Sequence, residues 1–351
     1  MLADQPLEIA CDESGSEGEK LIGGNTDVFT HASVRLDIES AADCIQEIRN
    51  IAPSPALEYK ANLLLREKNR PALVWLLGPS GPIRGNAHVY LTDKTFLVVG
   101  KLAGLLAEEA GEEAAHAPDA GRHRDRQVSA VAVTLYREGR RTFGRERWEA
   151  FLESFNTLMR AGNGRGPATS PDTFFGMVDA LRLDDPGGEV GEIMELLRRA
   201  RPRVESLLTR LLDDPQVIPA LDPLIPAIVR AVNYWGEGTR PVSIVHDRQT
   251  ALTEERVARL REMFGEPRPD APPCSPRNRL ADLRFVVARS DARVQVADLL
   301  AGTARKIASE ELNGRGDAEL TALLRPYVDS FSIWGDDRSW SLLESASVTR
   351  S

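Results

Sequence analysis

The chain has 351 residues, 42% of them hydrophobic, which suits one large domain with insertions or two domains. No apolar run reaches the ~18 residues of a transmembrane helix, and the acidic start Met1-Leu2-Ala3-Asp4 lacks the apolar stretch of a signal peptide, so a cytoplasmic protein with no membrane partner is expected. The net charge of −9 argues against coating nucleic acid by bulk electrostatics, and Cys11, Cys44 and Cys274, with no C-x-x-C pair, argue against structural zinc.

Residues 7–11 read as a short buried strand, and the polar stretch 12–19 as a turn. Lys20–Gly24 and Asp27–Leu36 read as two further strands, the second alternating through Val28, Thr30, Ala32, Val34 and Leu36. Asp37 or Ser40 can cap a helix over 39–50 that ends before Pro53. Short helices follow over 61–68 and 71–77, then a strand over 88–91 and an apolar helix over 96–107. The acidic-then-basic stretch 108–127 reads as an exposed loop.

From 145 to 235 the pattern is all helical. Trp148, Phe151, Leu152, Phe155 and Leu158 make one apolar face, and Ser170-Pro171-Asp172 is a strong helix start. Helices over 190–212 and 217–235 complete the stretch. Gly162–Gly166 reads as a connector, because no strand precedes it as a phosphate loop requires. A strand over 241–246, a helix over 253–264 capped by Thr253, a loop over 266–279, a strand over 283–288 and a long helix over 291–312 follow. The tail 325–351 has no assigned element. A β-rich start followed by strand–helix units predicts an α/β sheet with helices on both faces.

Asp12 and Asp247 each follow a predicted strand directly. If those strands are parallel neighbours, both acids lie outside their carboxyl ends, where open α/β sheets bind ligands. Ala297, Ala301, Gly302 and Ala304 give the last long helix a small-residue face, letting Asp298 approach the same edge; Glu58 is the fourth candidate. Four carboxylates repel unless paired, and hard oxygen donors suit Mg²⁺ or Mn²⁺. Two such ions can drive phosphodiester cleavage. Taken singly, each acid also has a structural reading. Asp12 with Ser14 and Gly15 builds a turn, Asp247 ends a strand, Asp298 pairs with Arg293 or Arg305, and Glu58 is a surface carboxylate. His246 reads more readily as a strand residue than as a ligand. Arginine outnumbers lysine 38 to six and clusters at 122–147, 198–210 and 268–293, as phosphate-binding faces or as solvated surface.

Asp12-Glu13-Ser14-Gly15, Glu58-Tyr59-Lys60, His246-Asp247, and Ser290 with Gln295-Val296-Ala297-Asp298-Leu299-Leu300-Ala301-Gly302 together resemble the bacterial domain of unknown function 3800 family. The resemblance spans roughly 7–312, and the Gln-x-Ala-Asp-Leu-x-Ala-Gly segment is its specific part. It implies an RNase H-like mixed five-stranded sheet with helices on both faces and a large helical insertion. Residues 1–144 and 236–315 would form the two parts of that core, 145–235 the insertion and 316–351 a C-terminal extension. It implies Asp12, Asp247 and Asp298 as metal ligands, Glu58 as a fourth, and Lys60 as a phosphate or water contact. Glu13, Ser14, His246, Ser290 and Gln295 would support them. The expected function is a Mg²⁺- or Mn²⁺-dependent nuclease using two ions on DNA or RNA, in phage defence or mobile-element biology. The alternative is a catalytically silent RNase H-like scaffold subunit of a defence system. The 145–235 insertion would then serve a homodimer or a protein partner.

Overall fold

A computed structural model of the chain describes residues 5–56, 58–111, 120–160, 170–184, 187–213, 221–236, 240–249, 252, 254–265 and 280–345. Two compact units are distinguished: one comprises Met1–Ser16, Val28–Thr92 and Pro223–Ser351, the other Glu17–Asp27 and Asp93–Asp222.

The first unit is built on a mixed five-stranded sheet of β1 (Leu7–Ser14), β2 (Val28–Val34), β3 (Ala87–Asp93), β4 (Val242–Asp247) and β5 (Leu280–Val286). The strand order is β3-β2-β1-β4-β5. β1 pairs antiparallel with β2 and parallel with β4, and β4 runs parallel to β5. The α/β class expected from the strand–helix pattern is what the chain adopts. Between β2 and β3 lie α1 (Ile38–Ile51), α2 (Ala61–Leu64) and α3 (Arg70–Leu77). The Asp37 carboxylate caps α1 through the Ser40 N–H at 2.7 Å.

The second unit carries α4 (Lys94–Gly111), α5 (Ala120–Phe143), α6 (Arg145–Arg160), α7 (Pro171–Arg182), α8 (Gly188–Arg199) and α9 (Arg201–Asp213). Its core is aromatic: Trp148, Phe151, Phe155, Phe174 and Phe175 are all buried. Ser170 caps α7 as expected, with Pro171 at its first position. The first unit resumes with α10 (Leu224–Trp235), α11 (Glu254–Gly265), α12 (Ala292–Leu312), α13 (Ala318–Leu324) and α14 (Asp337–Leu343).

Helix α12 lies against one face of the sheet. Ala10, Ala32, Val34 and Val245 meet Val296, Ala297, Leu300, Ala301 and Ala304 there, and α1 adds Ala41, Ile45 and Ile48. Side chains alternate along a strand, so Ser33 points to the opposite face. There Trp235 of α10 donates Nε1–H to Ser33 Oγ at 2.8 Å. The approach of α12 is close. Thr30 Oγ1 donates to the Ala301 carbonyl at 2.7 Å. A methyl group on Gly302 would collide with Cβ of Ala61 at the start of α2.

Several elements differ from expectation. β1 does not stop at Cys11; it continues through Ser14 because Asp12, Glu13 and Ser14 pair with Ala32, His31 and Thr30. Lys20–Gly24 is not a strand, since the Leu21 and Ile22 amides bond to the Asn156 side chain instead. The stretch 108–127 carries the end of α4 and the start of α5, and its middle, 112–119, lies outside the described residues. So do Gly162–Gly166, the Thr253 cap and 266–279. The second unit takes in Asp93–Asp222 and so includes α4 and α5, while α10 belongs to the first unit, where its Trp235 reaches the sheet. The unassigned tail has a clear role. Val328 and Ile333 bridge to Val89 and Thr92 of β3, closing an edge that would otherwise expose unpaired backbone groups. His88 Nε2 to Asp329 Oδ2 at 2.7 Å and Arg230 on the same carboxylate pin the tail there.

Gly302→Ala gains about 1 kcal/mol of helix propensity but loses about 1–3 kcal/mol to overpacking. The Ala61 methyl is fixed to backbone and cannot rotate away. The expected outcome is a net loss of stability, read as a lower urea midpoint at unchanged m.

Candidate functional site

The acidic site forms where β1, β4 and α12 end their packing. On β1, Asp12 and Ser14 share the face of Ala10, towards α12, whereas Cys11 and Glu13 face the other way. The parallel register sets Cys11 opposite His246. One step further along both strands, Asp12 runs beside Asp247. Asp298 faces the same edge from α12, one turn before Gly302.

The four carboxylates find three different counterweights. Asp12 is only 4% exposed. Its Oδ1 accepts a single backbone bond, from the Glu13 N–H at 2.8 Å. Burial, then the charges of Glu13, Asp298 and Asp247, push its carboxyl up to about 9. Asp12 therefore carries a proton at neutral pH. Asp298 is also raised, first by burial, while Lys60 works in the opposite direction. Lys60 Nζ sits 2.7 Å from Glu58 Oε1 and 3.0 Å from Asp298 Oδ2, so its ammonium bridges the two acids. Desolvation opposes that charge, but the bonds to Glu58 and Asp298 outweigh it and hold Lys60 above its ordinary value. Asp247 Oδ1 accepts the Ala288 N–H at 2.8 Å.

The structural pairings open to Asp298 in the sequence do not form. Arg293 is spent on Asp291 and Glu8, and Arg305 donates to Ser14. Nor does Asp12 build a turn, since it lies within β1.

Two of the expected supporting residues face away from the acids. Glu13 neighbours Asp12 in an extended strand and so points to the opposite face. It accepts from Gln249 there and lies 3.8 Å from His246 Nε2. His246 pairs with Cys11 in register and shares that face. Its Nδ1 meets the Asp247 carbonyl at 2.9 Å, and burial lowers its pKa to about 4, so it is neutral. His31 stacks on it with ring centroids 5.4 Å apart. Ser290 bonds back to the Val287 carbonyl at 2.6 Å, and the α12 cap is Asp291. Gln295 lies one turn before Asp298 on the same helix face, with no side-chain hydrogen bond among the described residues. Ser14 does join the acid face. Its Oγ accepts from Arg305 Nε at 3.0 Å. Sequence reading missed Arg305 in this role, although its position seven residues after Asp298 puts both on one helix face.

All four acids offer hard oxygen donors, the chemistry that Mg²⁺ and Mn²⁺ prefer. A buried Asp12 with one hydrogen bond fits such a cation. Among the described residues, no three His, Cys, Asp or Glu side chains already stand as a metal cage. The Lys60 ammonium holds the gap between Glu58 and Asp298 in their place. Among the described residues, no helix is long and apolar enough to cross a membrane. Comparison with models of protein families, with curated proteins and with solved structures found no match.

Because the Asp12 carboxyl is raised from 3.8 to about 9, its contribution to stability is complete below pH 4 and is lost as pH rises towards 9. Asp12→Asn removes this titration. The variant's melting temperature should match the wild type near pH 4 and exceed it by about ten degrees at pH 8–9. A constant difference across that range in calorimetric scans would refute a protonated Asp12.

Proposed function

We propose that the chain is a Mg²⁺- or Mn²⁺-dependent nuclease of RNase H-like fold, related to the domain of unknown function 3800 family. One observation carries this: Asp12 on β1 and Asp247 at the end of the parallel neighbour β4 lie beside Asp298, where burial first, and then the charges of Glu13, Asp298 and Asp247, push the Asp12 carboxyl up to about 9. The strand order β3-β2-β1-β4-β5, with β1 antiparallel to β2 and β1, β4 and β5 parallel, supports the same reading.

Asp12, Glu58, Asp247 and Asp298 would hold the cations. When bound, such ions supply Lewis acidity towards a phosphoryl oxygen and lower the pKa of a bound water. Asp12 must first release its proton to serve as a donor. Lys60 neutralises Glu58 and Asp298 in the meantime. Freed from them, its ammonium can meet a phosphate oxygen. Ala288 keeps Asp247 oriented through its N–H. Val296, Ala297 and Leu300 belong to the core that seats α12 on the sheet.

A silent RNase H-like binding subunit is the second reading. It is favoured by Lys60, because its ion pairs already satisfy two of the acids without any metal.

Purified protein would be assayed on single- and double-stranded DNA and RNA with Mn²⁺. Cleavage should fall at least about 100-fold in Asp12→Asn and in Asp298→Asn. Activity should rise with pH, by up to about tenfold per unit, and level off near 9 as Asp12 loses its proton. Cleavage that survives both substitutions sinks the nuclease assignment. Absence of calorimetric Mn²⁺ binding at pH 8.5 favours the silent subunit.

A further inference from the structure

Arg305 stands at the acid site without an acid of its own. It lies on α12 and is half-buried, and its Nε donates to Ser14 Oγ at 3.0 Å. Among the described residues it makes no ion pair. A guanidinium has five N–H donors in a rigid fork, so most of this fork is uncommitted. Arg293, at the other end of the same helix, is different: it is engaged by Asp291 and Glu8. Asp298, seven residues before Arg305, is taken by Lys60 instead.

The surroundings repeat the pattern. Arg248 directly follows Asp247, and Arg289 directly follows Ala288, the residue that donates to Asp247. Both arginines are exposed, and neither makes an ion pair among the described residues. Among the described residues of this chain of net charge −9, three arginines next to the acids in sequence or in space thus make no ion pair. That arrangement suits a ligand that brings its own negative charge.

The geometry also sets how far that charge reaches. Ser14 lies two residues beyond Asp12 on the same face of β1, about 7 Å along the strand. That is too far for one phosphate group to touch both, and it is comparable to the spacing of neighbouring phosphates on one strand. We propose that Arg305, positioned by Ser14, binds the phosphodiester next to the one at the acids, so that the ligand is a nucleic-acid strand and not a mononucleotide. This rests on the nuclease reading for the identity of the central phosphate. Arg248 and Arg289 extend the same positive rim past Asp247. The planar fork suits two non-bridging oxygens at once, which a lysine cannot match.

The test is fluorescence anisotropy of a labelled 12-nucleotide single strand, as DNA and as RNA, in Ca²⁺ buffer over a range of salt. Arg305→Met should weaken binding about tenfold. It should also lower the slope of log affinity against log salt by about 0.7, the loss of one phosphate contact. Arg315→Met removes the same charge at the far end of α12, where Arg315 pairs with Glu310; it should leave affinity and slope unchanged. Arg305→Gln serves as a second variant, and both Arg305 variants are checked for a wild-type melting curve. An excess of nucleoside monophosphate should compete poorly. The proposal is overturned if the wild type binds neither strand, if the Arg305 slope equals the wild type's, or if Arg315→Met loses as much. Strand binding with the reduced Arg305 slope but no cleavage by the wild type would keep this assignment and remove the nuclease. Cleavage with an unchanged slope would do the reverse.

Discussion

A carboxylate at the edge of a packed core must be neutralised, and the ends of β1, β4 and α12 gather several of them. An uncompensated buried charge costs several kcal/mol, so the chain cannot leave them bare. Three answers are used within a few residues. Asp12 keeps its proton. Glu58 and Asp298 share the Lys60 ammonium. Asp247 takes a backbone N–H. The solutions differ because the exposures differ. Asp12 is buried on the sheet face under α12, and among the described residues no cation pairs with it, so it keeps its proton. Asp298 lies nearer the surface, where a flexible lysine stem can bring its charge without being buried itself.

That arrangement depends on α12. Its small residues let the backbone come down onto the sheet, and the contact between Gly302 and Ala61 fixes α2 directly behind Lys60. The bond from Thr30 to the Ala301 carbonyl ties the same turn to β2. Apolar packing and acid placement are therefore one feature. Moving α12 outward by a methyl's width would separate Asp298 from Asp12 and pull Lys60 from its acids. The opposite face of the sheet is independent of this. There Glu13, His31 and His246 form a second buried polar layer.

Periodicity made much of this legible. The alternation of β2, the cap at Asp37, the Ser170-Pro171 start and the small-residue face of α12 all follow from local chemistry, and the structure has them. The parallel pairing of β1 with β4 was legible only as a condition, because register is a tertiary fact. The polar run Asp12-Glu13-Ser14 hid the last turn of β1, since it looks like loop until its partners in β2 are known. Lys20–Gly24 misled in the opposite direction: its apolar residues are buried, but a distant Asn156 supplies the partners that a strand would. Asp12 and Glu13 are consecutive in a strand, as are His246 and Asp247, so alternation alone excludes one of each pair from the acid face. Arg305 was legible only as a possible partner of Asp298; its bond to Ser14 needed the fold.

Charge balance bears on how the proposed site would load. Four carboxylates carry a formal charge of −4 when all are ionised. In the structure, one proton on Asp12 and one ammonium at Lys60 offset half of that. Two divalent cations would offset all of it, whereas one would leave the acids as underneutralised as they are now. Loading a single ion would thus repeat the present balance at the expense of two ion pairs and a proton. The two-ion state is the one that gains on it, which gives a physical reason to expect paired rather than single occupancy. The same sum explains why Lys60 and the Asp12 proton belong together: each holds the place of charge that a metal would bring, and neither alone would make the cluster tolerable.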